Sequence, residues 1–584
     1  MYDDILLDIR RPGQYMGGEW NVPKKDFNDD YIKVALSFPD LYEVGMSNLG
    51  VRIIYGMINN MPHALCERFF SVDSDMESQL RAKGREILSL ESRKRLVDFD
   101  LVGFSLGSEL CYTNVLGILD LAGIPLRANQ RGADYPLVAG GGPCALNPEP
   151  MHEFFDFFVI GEGEPVISEV IEEYRKHKLA YKSKRIIKTE LLTLLSKIEG
   201  VYVPSFYDVV YDADGVLKEF KPNNKEAPTI IKKRFVKDLN TAYYPKDWLI
   251  PYTQVIHDRA TLEIMRGCPN HCRFCQARTQ YYPLRYRRPE NVLSLADAIY
   301  KNTGYEEFSL SGLSVSDYPF LTGLLNDLST SLRAKGVSIS LPSVKARLIM
   351  GAVSSLIAKF KKTGLTFAPE AGSQRLRDLL AKDFKVDDFF KALREAYSCG
   401  YQHLKLYFMI GIPKEADTDL DEILNFSTLV SEARKEIGKP AASVNISVNT
   451  LIPKPHTPLQ WSAMLDLEGI RYKQGYLRSR AAKRRKLKFN YHPAQMSIIE
   501  GALSRGDRRL SEVILTAFKK GARFDAWGNR FNYSIWQGSF EECGIPPDFY
   551  LQAKNISDLL PWDFIDTGIS RGYLVDEFNK TIAI

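Results

Sequence analysis

Six short apolar segments recur between residues 260 and 452: TLEIM, EEFSLSG, SISLPS, LTFAPE, HLKLYFMIG and VNISVNTLIP. Enough chain for a helix separates each from the next. Parallel strands cannot be joined by tight turns and need crossovers of this length, so the series reads as six βα units forming a barrel or part of one. Barrels carry their function at the C-terminal ends of the strands. All six carry Cys, Ser, Gly, Glu or Pro at or just beyond their ends.

A second α/β pattern lies upstream. YIKVALSFP, LVGFSL, PLVAGGGP and FDFFVIGEGE each stop at Pro, Gly or Ser, with amphipathic stretches between them. This predicts a doubly wound parallel sheet over 31–175, whose ligand rim would run through Pro39 to Gly50, Ser105 to Leu110 and Gly140 to Pro143. Residues 176–254 turn basic and read as a connector, with a hairpin whose turn is Asp212 to Gly215. A chain of 584 residues is too long for one core. The expected division is an arm at 1–30, the doubly wound unit at 31–175, the connector at 176–254, the barrel at 255–465 and an extension at 466–584. The fold class is α/β throughout.

The chemistry is signalled by Cys268, Cys272 and Cys275 in EIMRGCPNHCRFCQAR, a C-x3-C-x2-C spacing with Phe274 before the third thiol. Three thiolates hold a cubane iron–sulfur cluster and leave one iron open to a small molecule. A Cys3His zinc site with His271 or His257 is the alternative, although structural zinc modules pair their ligands again downstream. The other five cysteines, Cys66, Cys111, Cys144, Cys399 and Cys543, are scattered, and Cys66 reads as part of a helix-like stretch. Eight cysteines in so long a chain are too sparse for a disulfide scaffold and suit a reducing cytoplasm. The start lacks a signal-peptide pattern and no apolar run has membrane length, so no membrane partner is expected. A net charge of +5 permits an acidic substrate without requiring one.

The cysteine spacing and the six units resemble the radical S-adenosylmethionine (SAM) enzymes, over about 255 to 465. The resemblance implies a partial (β/α)6 barrel, a [4Fe-4S] cluster on Cys268, Cys272 and Cys275, and SAM on the open iron. It implies further contacts to SAM. Ser311, Gly312 and Ser314 would face its amino group, and Ser343, Lys345 and Arg347 its carboxylate. Glu370 would face its ribose or amino acid part, and Gly411, Pro413, Ile452 and Pro453 its adenine. A one-electron reductant such as flavodoxin or ferredoxin would be a partner.

The upstream unit resembles the cobalamin-binding domain that precedes the barrel in one class of these enzymes. Ser108 and Leu110 match that family's S-x-L, Gly140 and Gly141 its Gly-Gly, and Gly50 the glycine of its D-x-H-x-x-G motif. Serine, at Ser47, stands where the family's cobalt-ligating histidine would be, and the nearest histidine in sequence, His63, falls beyond the first helix. The class implies methyl transfer to an unactivated carbon if cobalamin binds, and rearrangement or oxidation if it does not. Methylthio transfer, with a second cluster on Cys66, Cys111 and Cys144, is an alternative. So is a nucleic-acid-binding protein with a structural cluster. For the latter the basic stretch 478–509, with Phe489 and Tyr491, would be the surface, and RNA or a ribosome-associated substrate the partner. Trp527, Trp536 and Trp562 read as core residues of the extension.

Overall fold

The computed structural model describes residues 2–333, 335–340 and 365–583. The first sheet is built from β1 (Ile32–Phe38), β2 (Ala64–Phe70), β3 (Leu101–Ser105), β4 (Leu137–Gly141) and β5 (Phe157–Val159), all parallel, with β6 (Val201–Tyr202) antiparallel at the edge. Its order is β2-β1-β3-β4-β5-β6. The chain reverses direction across the sheet between β1 and β3, the switch point at which doubly wound sheets bind ligands.

Strand β2 corrects the helical expectation for Cys66. Glu67 and Arg68 interrupt its apolar pattern, yet both are buried. Arg68 is held by Glu19 at 2.8 Å and Glu91 at 2.6 Å, and Glu67 accepts from the Ser92 hydroxyl. The connector expected from residue 176 begins instead with the end of a 20-residue helix, Gly163–Lys182. Its buried Val166, Val170, Ile171, Tyr174 and Tyr181 form one apolar face beneath the basic residues.

The connector contains the expected hairpin, β7 (Tyr207–Tyr211) with β8 (Leu217–Pro222), and a short strand β9 (Ile231–Lys232). The barrel begins with β10 (Ala260–Glu263), followed by the ribbon β11 (Met265–Arg266) and β12 (Arg285–Tyr286), then β13 (Glu307–Ser311) and β14 (Ser338–Ser340). It continues with β15 (Leu365–Glu370), β16 (His403–Ile410) and β17 (Ser443–Thr450). All six expected barrel strands form, in two parallel sheets, β10-β13-β14 and β15-β16-β17. A seventh strand, β18 (Leu487–Tyr491), adds parallel to β17 from within the basic stretch. The last strand, β19 (Ile565–Asp566), pairs with β9.

The extension is not a separate body. Met496, Ile499, Val513, Ile514 and Trp536 lie in the same apolar cluster as β1 to β5. Trp562 closes a smaller cluster with Trp461. Among the described residues no helix is long and apolar enough to cross a membrane.

Candidate functional site

The cysteine loop follows β11 at the mouth of the barrel, and its three thiols are partly buried. Phe274 anchors the loop among Leu376, Leu379, Leu380, Met409 and Leu451. Arg273 points the other way. It donates to the Leu379 carbonyl at 2.6 Å and pairs with Glu577 at 2.9 Å, a carboxylate from the helix Arg571–Ala583. Lys233 donates to the carbonyls of Thr279, Gln280 and Tyr282, closing the C-terminal end of the helix Gln276–Gln280 that follows the third cysteine.

Burial pushes the Cys272 thiol up to about 11 and raises Cys275 as well, while the Lys382 ammonium pulls both back down. Lys382 also pairs with Glu370 at 3.0 Å. The Asn270 amide lies 3.2 Å from the Cys268 sulfur and 3.1 Å from Asp317. His271, proposed above for a zinc set, has its Nδ1 beside the Tyr573 hydroxyl at 3.1 Å and the Arg278 guanidinium at 3.0 Å. Among the described residues no three His, Cys, Asp or Glu side chains converge closely enough to hold a single ion.

The remaining site residues divide. Ser311 ends β13, Gly312 follows it against Met265, and the Ser314 hydroxyl donates to Asp317 at 2.6 Å. Glu370 ends β15 with a left-handed backbone, φ 68°, and burial raises its carboxyl despite Lys382. Gly411, φ 81°, donates its N–H to Glu415, and a side chain there would meet Leu465 at 2.9 Å. Pro413 follows it in the same loop. Ile452 packs with Met464 and, in the extension, Leu551, and the Pro453 carbonyl accepts from buried Arg505. Ser343, Lys345 and Arg347 lie outside the described residues.

The first sheet opens into a cavity of about 570 Å³ that runs between one sheet face and the helices Leu49–Asn59 and Gly163–Lys182. Adjacent small residues create it: across the sheet the row is Leu36, Gly103, Ala139, Phe157. A Cβ on Gly103 would find only Leu36, 4.0 Å away. The cavity reaches Gly50, Gly140 and Gly141 at the rim, then Met265, Arg266, Ser311 and Gly312 of the barrel, so it ends beside the cysteine loop. Sequence reasoning missed Gly103 and Ala139, whose signal was two small residues in the middle of central strands.

Glu162, also in the cavity wall, receives Arg285 in a double contact at 2.7 and 2.8 Å and Arg266 at 2.9 Å. Arg266 further binds Glu164 and Glu263. This network locks the first sheet to the strand that leads into the cysteines. Ser108 does not line the cavity; its hydroxyl caps the turn at Leu110. Ser47 donates to the Glu43 carbonyl and accepts from the backbone N–H of His257, so the connector brings a histidine's backbone against this loop.

Family profiles match both halves: "Radical SAM proteins, N-terminal" over residues 50–204 and "Radical SAM superfamily" over 262–427. The chain belongs to the radical SAM superfamily. The uncharacterized protein MJ0966 of Methanocaldococcus jannaschii is 30% identical over 517 residues, 86% of this chain and 98% of that protein. The threonylcarbamoyladenosine tRNA methylthiotransferase MtaB of Bacillus subtilis is 28% identical over 33% of this chain and 46% of its own length. Among solved structures, the cobalamin-dependent SAM radical enzyme OxsB aligns with a TM-score of 0.48 at 13% identity, over 95% of this chain and 79% of that one.

Proposed function

We propose that this radical SAM protein cleaves SAM reductively at a [4Fe-4S] cluster held by Cys268, Cys272 and Cys275, and uses the product radical on an unactivated C–H bond, with methylation the favoured outcome. The observation that carries this is three thiols on one loop at the barrel mouth, with the Lys382 ammonium and the Asn270 amide set against them. That donor set fits an iron–sulfur cubane, whose potential is tuned by local charge and by hydrogen bonds to sulfur. When bound, the cluster supplies one electron to the SAM sulfonium, which breaks to methionine and a 5'-deoxyadenosyl radical. A flavodoxin- or ferredoxin-type protein would deliver that electron.

The residues of the chain hold and shield. Arg273 and Phe274 fix the loop from two sides, Ser311 and Gly312 present backbone groups beside it, and Glu370 stands ready to accept from ribose hydroxyls. The apolar slot between Gly103 and the facing helices fits the flat aromatic base on the side arm of cobalamin, a cofactor that supplies a methyl group when bound. Gly50 and Gly141 at the rim would let it approach the backbone closely, whereas the bare side of Gly140 is taken up by the Phe158 ring. Ser47 is committed to Glu43 and His257, so we expect no lower ligand from that position.

Methylthio transfer is the second reading, favoured by the identity to the tRNA methylthiotransferase. It needs a second cluster, and the structure does not gather the cysteines for one. Cys66 sits in β2, its backbone N–H donating to the Asn59 side chain and its thiol beside Glu91 and Glu67, whereas Cys111 and Cys144 neighbour each other.

Anaerobic reconstitution tests the proposal. We expect about four irons per chain, retained cobalamin, and 5'-deoxyadenosine on reduction with SAM. Cys272→Ala should lose iron and product together while Cys399→Ala keeps both. Undiminished SAM cleavage by Cys272→Ala would defeat the radical reading, and about eight irons would favour methylthio transfer.

A further inference from the structure

A parallel sheet is ordinarily covered on both faces, and closed βα barrels fill their interior with Val, Ile and Leu. Strands β16, β17 and β18 break this rule. Leu404, Leu406, Val444, Ile446 and Leu487 pack outward into the core. The inward face carries Lys405, Asn445 and Lys488 in one row across the strands, and Tyr407, Ser447 and Asn490 in the next. Asn445, Lys488 and Asn490 are exposed, and Lys405, Tyr407 and Ser447 are partly so. This inner face is wet.

It is also cationic. Among the described residues no carboxylate pairs with Lys405 or Lys488, and Lys405 lies over the Tyr407 ring at 4.6 Å. The row continues outward into the turn before β18, where Lys483, Arg485 and Lys486 are exposed. From residue 469 to 499 the chain has nine Lys and Arg and no Asp or Glu; of the nine, Lys473 and Arg480 pair with Glu415 and Asp421, and Arg484 donates to the Leu424 carbonyl. The other end of the basic stretch is different: Arg505, Arg508 and Arg509 are spent on internal bonds to Tyr550, Glu149 and Asp507.

We propose that the inner face of β16 to β18, entered from the turn at residues 483–486, binds a single-stranded nucleic acid. Spaced cations in a line meet successive phosphates, the amides of Asn445 and Asn490 offer donors and acceptors to base edges, and Tyr407 offers a stacking surface. The Lys405 row lies six residues before Gly411 along the chain, roughly 20 Å below the mouth at a strand's rise, so a bound strand would run toward the cysteine loop. The inference rests on the SAM-cleaving reading only in making the bound strand a substrate.

The test is fluorescence anisotropy of a labelled, mixed-sequence single-stranded RNA with the full-length protein, without reductant. We expect binding that weakens with salt, a loss of about tenfold or more in Lys405→Glu/Lys488→Glu with a shallower salt slope, and a loss in Tyr407→Ala with the slope kept. The charge-matched control Lys24→Glu/Lys519→Glu should bind as wild type. Should the double reversal fail to fold, the isosteric Asn445→Asp places one carboxylate in the same row and should also weaken binding. Absence of binding at low salt, undiminished affinity in the folded double variant or in Asn445→Asp, or displacement of RNA by polyglutamate at equal charge would each overturn the proposal. A wild type that binds RNA but cleaves no SAM would defeat the earlier reading and leave this one standing.

Discussion

Arg273 sits between the second and third cysteines, and its side chain never faces solvent freely. Its guanidinium satisfies two carbonyls of the segment after β15, and Glu577 supplies the only carboxylate paired with it among the described residues. Glu577→Gln keeps a hydrogen-bonding oxygen but removes the charge, so the loop should loosen without unfolding the chain. The expected cost is about 1–3 kcal/mol in urea unfolding. Hydrogen exchange should quicken over residues 268–276, and the reconstituted protein should lose iron faster to a chelator. Unchanged exchange in that segment would remove Glu577 from the positioning of the cysteines. The cysteine triplet itself was legible from spacing alone, because three thiols on one loop are local. Arg273–Glu577 was not, since 304 residues separate the partners and neither has a signal of its own.

Among the elements, the strands that could be read were those whose apolar residues lie between breakers. β2 was hidden because Glu67 and Arg68 look solvated until Glu19, Glu91 and Ser92 are seen around them. The alternation in VNISVNT was visible, but its meaning depended on the topology that made one face of a parallel sheet open. The slot in the first sheet depends on registration too: Gly103 matters because Ala139 stands beside it and Leu36 on its other side. Gly103→Val should fill the slot with a residue that favours strands. The variant should melt no earlier than wild type and bind cobalamin about tenfold more weakly or worse, a loss of about 1.4 kcal/mol, measured by equilibrium dialysis. Cobalamin binding unchanged by Gly103→Val would place any such ligand elsewhere.

For the whole molecule, burial holds two histidines neutral. It pushes His152 down to about 3 and His456 down to about 4. Unfolded, both should titrate near 6.5, so below that pH the unfolded chain binds protons that the folded chain refuses. Their contribution is therefore complete above about 6.5 and is lost as pH falls toward the folded values, on the order of 2 kcal/mol each at pH 5. Urea midpoints should drop between pH 7 and pH 5, and His456→Asn, which tolerates the left-handed backbone at φ 57°, should flatten that dependence. A slope identical to wild type would show that the His456 ring takes up its proton in the folded state.

Lys454, after β17, is half-buried and pairs with Glu109 of the turn after β3 and Glu500 of the extension, each at 2.9 Å. A ribosome delivers these groups in order. The nascent chain presents Glu109 first, then the ammonium that completes it, then Glu500, and only much later the Glu577 that fastens the cysteine loop. A barrel synthesised without its flanks would leave this ammonium with neither carboxylate. The Arg273–Glu577 contact that fastens the cysteine loop can therefore close only once the sequence through residue 577 has emerged.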